Sequence, residues 1–223
     1  PQLWGCIITG SIVSVIATVS IADILKTWKV AALTAPFVLT TWVVLLASYA
    51  FSGLDASGLS VPELPHPLVS APAGGLFNGH IFATVLHGVS EVYLFSSVAA
   101  GGLFVVGLAV ASRWAAIFAI GGSLLAVLTA SLLGANTTST DSGLYAFSAV
   151  LTAIALGSSF NKPSWRVLGY TFIGVIFTVF VQGAMNTLLA PVGIPTLTMP
   201  FVLASWLFLV PNKDIMPAHR QGH

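Results

Sequence analysis

Apolar runs long enough to cross a bilayer alternate with short polar connections along the whole chain. Residues 5–25 form the first, since a helical crossing takes about 20 residues, and Lys26 and Lys29 follow it. The pattern predicts an interrupted segment over 31–54, then a Pro-, Ser- and Gly-rich connection over 55–75 that holds Asp55, Glu63 and His66. A long apolar stretch, 76–111, contains His80, His87 and Glu91. Arg113 precedes a run at 114–134, Asn136 to Asp141 is a polar turn, and 143–160 is the next span. Lys162 and Arg166 flank a further turn before a span at 167–190, which Pro191 to Pro195 closes. A second interrupted segment, 196–210, leads into a polar tail.

The two interrupted segments are copies of one another. Leu33-Thr34-Ala35-Pro36-Phe37-Val38-Leu39-Thr40-Thr41-Trp42 returns 164 positions later as Leu197-Thr198-Met199-Pro200-Phe201-Val202-Leu203-Ala204-Ser205-Trp206. Gly5 and Gly10 meet Gly169 and Gly174 at the same offset without a gap. A period of this length describes a duplicated bundle rather than a short solenoid unit. Each copy places Pro two residues after Thr inside an apolar run. The missing N–H and the ring's clash with the preceding turn make a helix break or begin there. At membrane depth such a break is tolerated where the freed backbone lines a cavity, and duplicated broken helices mark transporters with a midplane site. Pro in the first turn of an ordinary helix is the simpler account of either copy alone.

Composition narrows the class. Charged residues make up 6% of the chain and hydrophobic residues 57%, against about 25% charged in soluble domains. The expected fold is therefore an all-α polytopic membrane protein, built from two inverted repeats with broken and re-entrant helices, the first repeat incomplete. A net charge of +1 gives no nucleic-acid footprint. The single cysteine, Cys6, lies in an apolar run, cannot form an internal disulfide and reads as core. The layout is 1–54 as the C-terminal part of repeat 1, 55–75 as inter-repeat linker, 76–211 as repeat 2 and 212–223 as polar tail. Counting spans back from the tail puts Lys213, Arg220, Lys162, Arg166 and Arg113 on one side, which the positive-inside rule makes cytoplasmic. Inverted repeats bring Lys26 and Lys29 to that side as well. The same count gives 76–111 one net crossing. Its surplus residues fit a half-helix that enters and leaves on one side, with Glu91 at the hand-over to a full span; a long tilted helix is the alternative.

Few residues can carry chemistry. Glu91 is the acidic residue well inside an apolar segment of the second repeat, and a carboxylate there marks a pathway or a pair, or else stands at headgroup level. His80, His87 and Glu91 share a helical face. Three such residues on one short helix, without a second ligand set, point to hydrogen-bonded core histidines more than to a metal. Thr34 and Thr198 offer hydroxyls at the broken helix starts, where capping and ligand contact can coexist. Phe147 and Leu151 stand at i and i+4 on one face. No Ser-His-Asp order, Gly-rich phosphate loop or Cys/His metal spacing is present, so neither an enzyme nor a cofactor is expected.

On the doubled Leu-Thr-x-Pro-Phe-Val-Leu-x-x-Trp, on Gly88-Val89-Ser90-Glu91-Val92-Tyr93-Leu94 and on Gly143-Leu144-Tyr145-Ala146-Phe147-Ser148-Ala149-Val150-Leu151, the chain resembles the bacterial branch of the urea transporter family. The resemblance implies passive, channel-like urea transport through each protomer of a homotrimer in the cytoplasmic (inner) membrane. The pore would lie between two inverted repeats of five spans and one re-entrant helix. It also implies that Glu91 accepts hydrogen bonds from urea near one mouth with Val92 beside it, that Phe147 and Leu151 line an apolar slot, and that Thr34 and Thr198 face each other at the constriction. Relatives tend to carry Phe where this chain has Leu94, so the aromatic clamp there is weaker or is supplied by Phe95. The first-repeat partners of Glu91, Phe147 and Leu151 would fall upstream of Pro1, so an N-terminally truncated fragment that does not conduct alone is expected. The rival readings are a channel for ammonia or another small neutral solute, an intramembrane hydrolase using Glu91 and His87, and a structural membrane subunit.

Overall fold

The computed structural model describes residues 2–51, 81–92, 97–135 and 144–211. The expected linker 55–75 and tail 212–223 lie outside them, as do His80, Leu94 and Phe95 and the side chains of His87 and Glu91. All described elements are helical: α1 Gln2–Lys26, α2 Ala35–Ala50, α3 Ile81–Glu91, α4 Val98–Ala111, α5 Arg113–Leu132, α6 Leu144–Ile154, α7 Trp165–Leu189 and α8 Met199–Leu209. A π-turn, Ala155–Ser159, continues α6, and a 3-10 turn, Ala190–Val192, follows α7. Among the described residues, three stretches are long and apolar enough to cross a membrane: Ile7–Lys26, Arg113–Leu132 and Trp165–Val192.

The chain divides into two compact units, Pro1–His66 with Ala184–Val202 and Pro67–Gly183 with Leu203–His223. In the first, α1 ends on Lys26, whose charge suits the C-terminal dipole, and whose ion pair with Asp23 is exposed and so adds little. α1 packs on α2 at Gly10, where an added Cβ would stand 3.5 Å from Val44.

The second unit is a bundle held by small residues, the packing expected where lipid is as apolar as the side chains. Its core joins Phe118, Ala126, Ala130, Ala146, Ala149 and Val175. Gly122 abuts Ala153, and Gly101 lies against the Leu86 carbonyl; a Cβ at either would collide. Ser112 caps α5 by accepting from the Ala115 N–H at 3.3 Å. α5 stops at Gly134 (φ 73°), with the Ala135 N–H donating to the Ala130 carbonyl, the six-to-one bond of a left-handed helix stop. α7 and α8 meet at Gly174, where a Cβ would stand 3.6 Å from Phe208, and the Tyr170 hydroxyl donates to the Phe208 carbonyl at 2.7 Å. Gly174 and Phe208 are the positions 164 beyond Gly10 and Val44, so both copies of the repeat use one helix-pair contact.

The apolar stretch 76–111 breaks after Glu91. α3 ends there, with 11 described residues. α4 supplies 14 more before Ser112. The expected span 143–160 departs from a plain helix at its end. There the Phe160 N–H reaches the Ala155 carbonyl, and the buried Asn161 amide donates to the Leu156 carbonyl at 2.7 Å.

Candidate functional site

In the first unit the doubled motif adopts the same backbone conformation twice. Leu33 and Leu197 have φ of 51° and 50°, a left-handed conformation that non-glycine residues seldom adopt. The Ala35 N–H bonds the Ala32 carbonyl and the Met199 N–H the Thr196 carbonyl, each at 3.2 Å. The Val38 N–H then reaches the Thr34 carbonyl and the Val202 N–H the Thr198 carbonyl, each at 3.1 Å. The reversal at Leu turns the chain sharply into α2 and α8, and Pro follows in each first turn, where no N–H is needed.

The copies meet at their threonines. Thr34 Oγ1 and Thr198 Oγ1 are 2.7 Å apart, and both residues are half-buried. Thr34 makes no side-chain cap bond to its own helix, so its hydroxyl is spent on the other copy. The contact of equivalent positions is the signature of a local two-fold axis. Trp42, the last residue of the first motif, donates its indole N–H to the Pro195 carbonyl at 2.9 Å and so ties α2 to the chain entering α8.

In the second unit α3 is clamped between α5 and α6. A Cβ at Gly88 would strike Ala146 and the Ser123 hydroxyl, and Ser123 donates to the Val85 carbonyl at 2.8 Å. This close approach sets the helix that ends at Glu91 beside the turn of α6 that carries Phe147. Val92, half-buried, packs on the cluster of Val89, Ala119 and Val150. Phe147 and Leu151 are half-buried on α6, on a side different from the next residues along, Ser148 and Thr152, which are fully buried.

Those two buried residues belong to a ladder that joins α6 to α7. The Ser148 hydroxyl donates to Gln182 Oε1 at 3.0 Å. The Thr152 hydroxyl donates to the Ser148 carbonyl at 3.0 Å. Thr178 Oγ1 lies 3.0 Å from Thr152 Oγ1 and 2.8 Å from the Gly174 carbonyl, so its single proton is shared between them. The sequence signal of this ladder is polar residues spaced by four, 148 with 152 and 178 with 182, on two facing apolar spans. No group of three potential metal ligands occurs among the described residues.

Helices of this length and apolar surface, small-residue packing and a Pro-started motif used twice define an all-α polytopic membrane protein. The family model described as urea transporter matches residues 1–213, and the chain belongs to that family. Urea transporter 1 of Ovis aries is 29% identical over 200 residues, covering 87% of this chain and 52% of that protein. Urea transporter 1 of Mus musculus is 27% identical over 222 residues, covering 96% and 57%. The chain thus spans about half the length of these relatives.

Proposed function

We propose that this protein carries urea passively through the membrane, and that the paired threonines lie on its route. The observation that carries the reading is the 2.7 Å contact of Thr34 and Thr198 at two Pro-started helices, taken with membership of the urea transporter family. Urea is flat and neutral, with four N–H donors and one carbonyl acceptor. Each threonine hydroxyl both donates and accepts, so the pair can open to admit either end of the molecule and close behind it. A buried urea must recover the hydrogen bonds it leaves in water, yet each must be weak for passage to be fast. Two neutral hydroxyls meet both demands, whereas an ion gains no comparable replacement for its hydration.

On the family resemblance, Glu91 accepts urea N–H groups near one mouth beside Val92 and Leu94, and Phe147 and Leu151 present apolar surface to the flat faces of the molecule. A homotrimer in the cytoplasmic membrane, two repeats of inverted sense and a separate route in each protomer belong to the same reading. Stopped-flow flux in liposomes carrying the intact protein tests it. Urea should equilibrate faster than in empty vesicles and should not saturate at low concentration. Ammonia flux without urea flux would favour the ammonia channel, release of ammonium from urea would favour the hydrolase, and no flux at all a structural subunit.

A further inference from the structure

A groove of about 360 Å³ opens on the second unit between α5 and α7, with Ala153 of α6 at its floor. It is far larger than the voids of a packed interior and within the range of small-molecule pockets. Ile117, Gly121, Leu125, Leu168 and Phe172 are among its walls, and Thr171 supplies the one polar side chain. That hydroxyl is the anomaly. Thr18, Thr40, Thr129, Thr152 and Thr178 each donate to the carbonyl four residues back. Thr171, only 3% exposed, has no partner for its Oγ1. A buried hydroxyl left unpaired is costly and asks for an acceptor from outside the chain.

The charges at one end of the groove say what that acceptor belongs to. Phe118 packs on Gly157 of the π-turn, and Gly174 on Leu156. The start of α5, the end of α6 and the start of α7 therefore converge, bringing Arg113 and Lys162 to one end. Arg113 heads the wall residues Ile117, Gly121 and Leu125, which recur every four positions along α5. Both cations are exposed, and neither makes an ion pair among the described residues. Trp114 and Trp165, exposed by 44% and 85%, flank the cationic end as headgroup-level residues do. Thr171 lies six residues into α7, about 9 Å from Trp165 along the axis, at the depth of the headgroup–acyl boundary.

We propose that the groove binds one anionic phospholipid, its phosphate held by Arg113 and Lys162, an ester carbonyl accepting the Thr171 hydroxyl, and an acyl chain lying along the α5–α7 walls. A zwitterionic lipid satisfies the hydroxyl and the walls but carries a cation to the cationic end.

The test is native mass spectrometry of the intact protein with dioleoyl phosphatidylglycerol and dioleoyl phosphatidylcholine at equal concentration. The parent should retain the glycerol lipid about 25-fold better, about fivefold for each of the two cations near an anionic headgroup. Arg113→Gln should lower the ratio about fivefold, and Lys162→Gln gives the same reading if that variant is not recovered. Thr171→Val should lower retention of both lipids and leave their ratio. At Gly121 a Cβ meets nothing within 4 Å, so Gly121→Leu should fill the groove without disturbing the fold and abolish the preference. Equal retention of the two lipids by the parent overturns the proposal, as does a preference that survives Gly121→Leu. So does a change of oligomeric mass in Gly121→Leu with lipid retention intact, since a second copy would then cover the groove.

Discussion

Thr198 is the residue at which the reading of function is most exposed to test. Thr198→Val keeps the shape and removes one of two hydroxyls within 2.7 Å. Losing one neutral hydrogen bond is worth about 1 kcal/mol, so urea flux should fall by about fivefold while the protein still folds; Thr198→Ser should retain most of it. Wild-type flux from Thr198→Val, measured in liposomes, would take the pair off the route. One residue earlier the backbone was not legible in advance, because leucine seldom adopts positive φ. The left-handed form at Leu197 (φ 50°) costs about 1–2 kcal/mol. Leu197→Gly removes that strain but loosens the unfolded chain by about as much, so the melting temperature should barely move. Leu197→Val, β-branched at a left-handed site, should lower it by several degrees. The threonine pair itself was legible, since equal offsets of 164 place both residues at matching helix starts. The roles proposed for Glu91 and Phe147 rest on family resemblance alone, for a carboxylate or a ring in an apolar run does not say what it touches.

Between elements, the α6–α7 ladder decides how α6 is turned. Ser148, Thr152, Thr178 and Gln182 are all fully buried, so removing one partner leaves another polar group without water. Gln182→Leu should cost about 1–3 kcal/mol, and a Ser148→Ala, Gln182→Leu double variant should cost less than the two single changes added. Additive losses in thermal unfolding would mean that the two side chains do not act as a pair. The long spans were readable from apolar length, and the break after Glu91 from a stretch too long for one crossing. The π-turn was not readable. It depends on Gly157 fitting under the Phe118 ring and on the Asn161 amide reaching back to Leu156, and the first of these contacts joins residues far apart in sequence.

For the whole molecule the expected inversion of the two repeats makes a prediction about their basic ends that can be checked. α1 carries Lys26 in its last turn, with Lys29 just beyond. α7, its counterpart at an offset of 164, begins between Lys162 and Arg166. The basic end of one is its finish and the basic end of the other is its start. If every basic end faces the cytoplasm, α1 and α7 must cross in opposite directions, and the two-fold implied by Thr34 meeting Thr198 lies in the membrane plane. If instead the repeats run in the same sense, the axis stands along the membrane normal and Lys29 emerges opposite Lys162. Replacing Cys6, the single cysteine, with Ser allows one thiol at a time to be placed by Lys29→Cys, Arg113→Cys or Lys162→Cys. In sealed vesicles of one orientation, a membrane-impermeant maleimide should label all three from the cytoplasmic face and none from the other. Labelling of Lys29→Cys from the outer face, with the other two from the inner, would show parallel repeats and remove the midplane axis on which the threonine route depends.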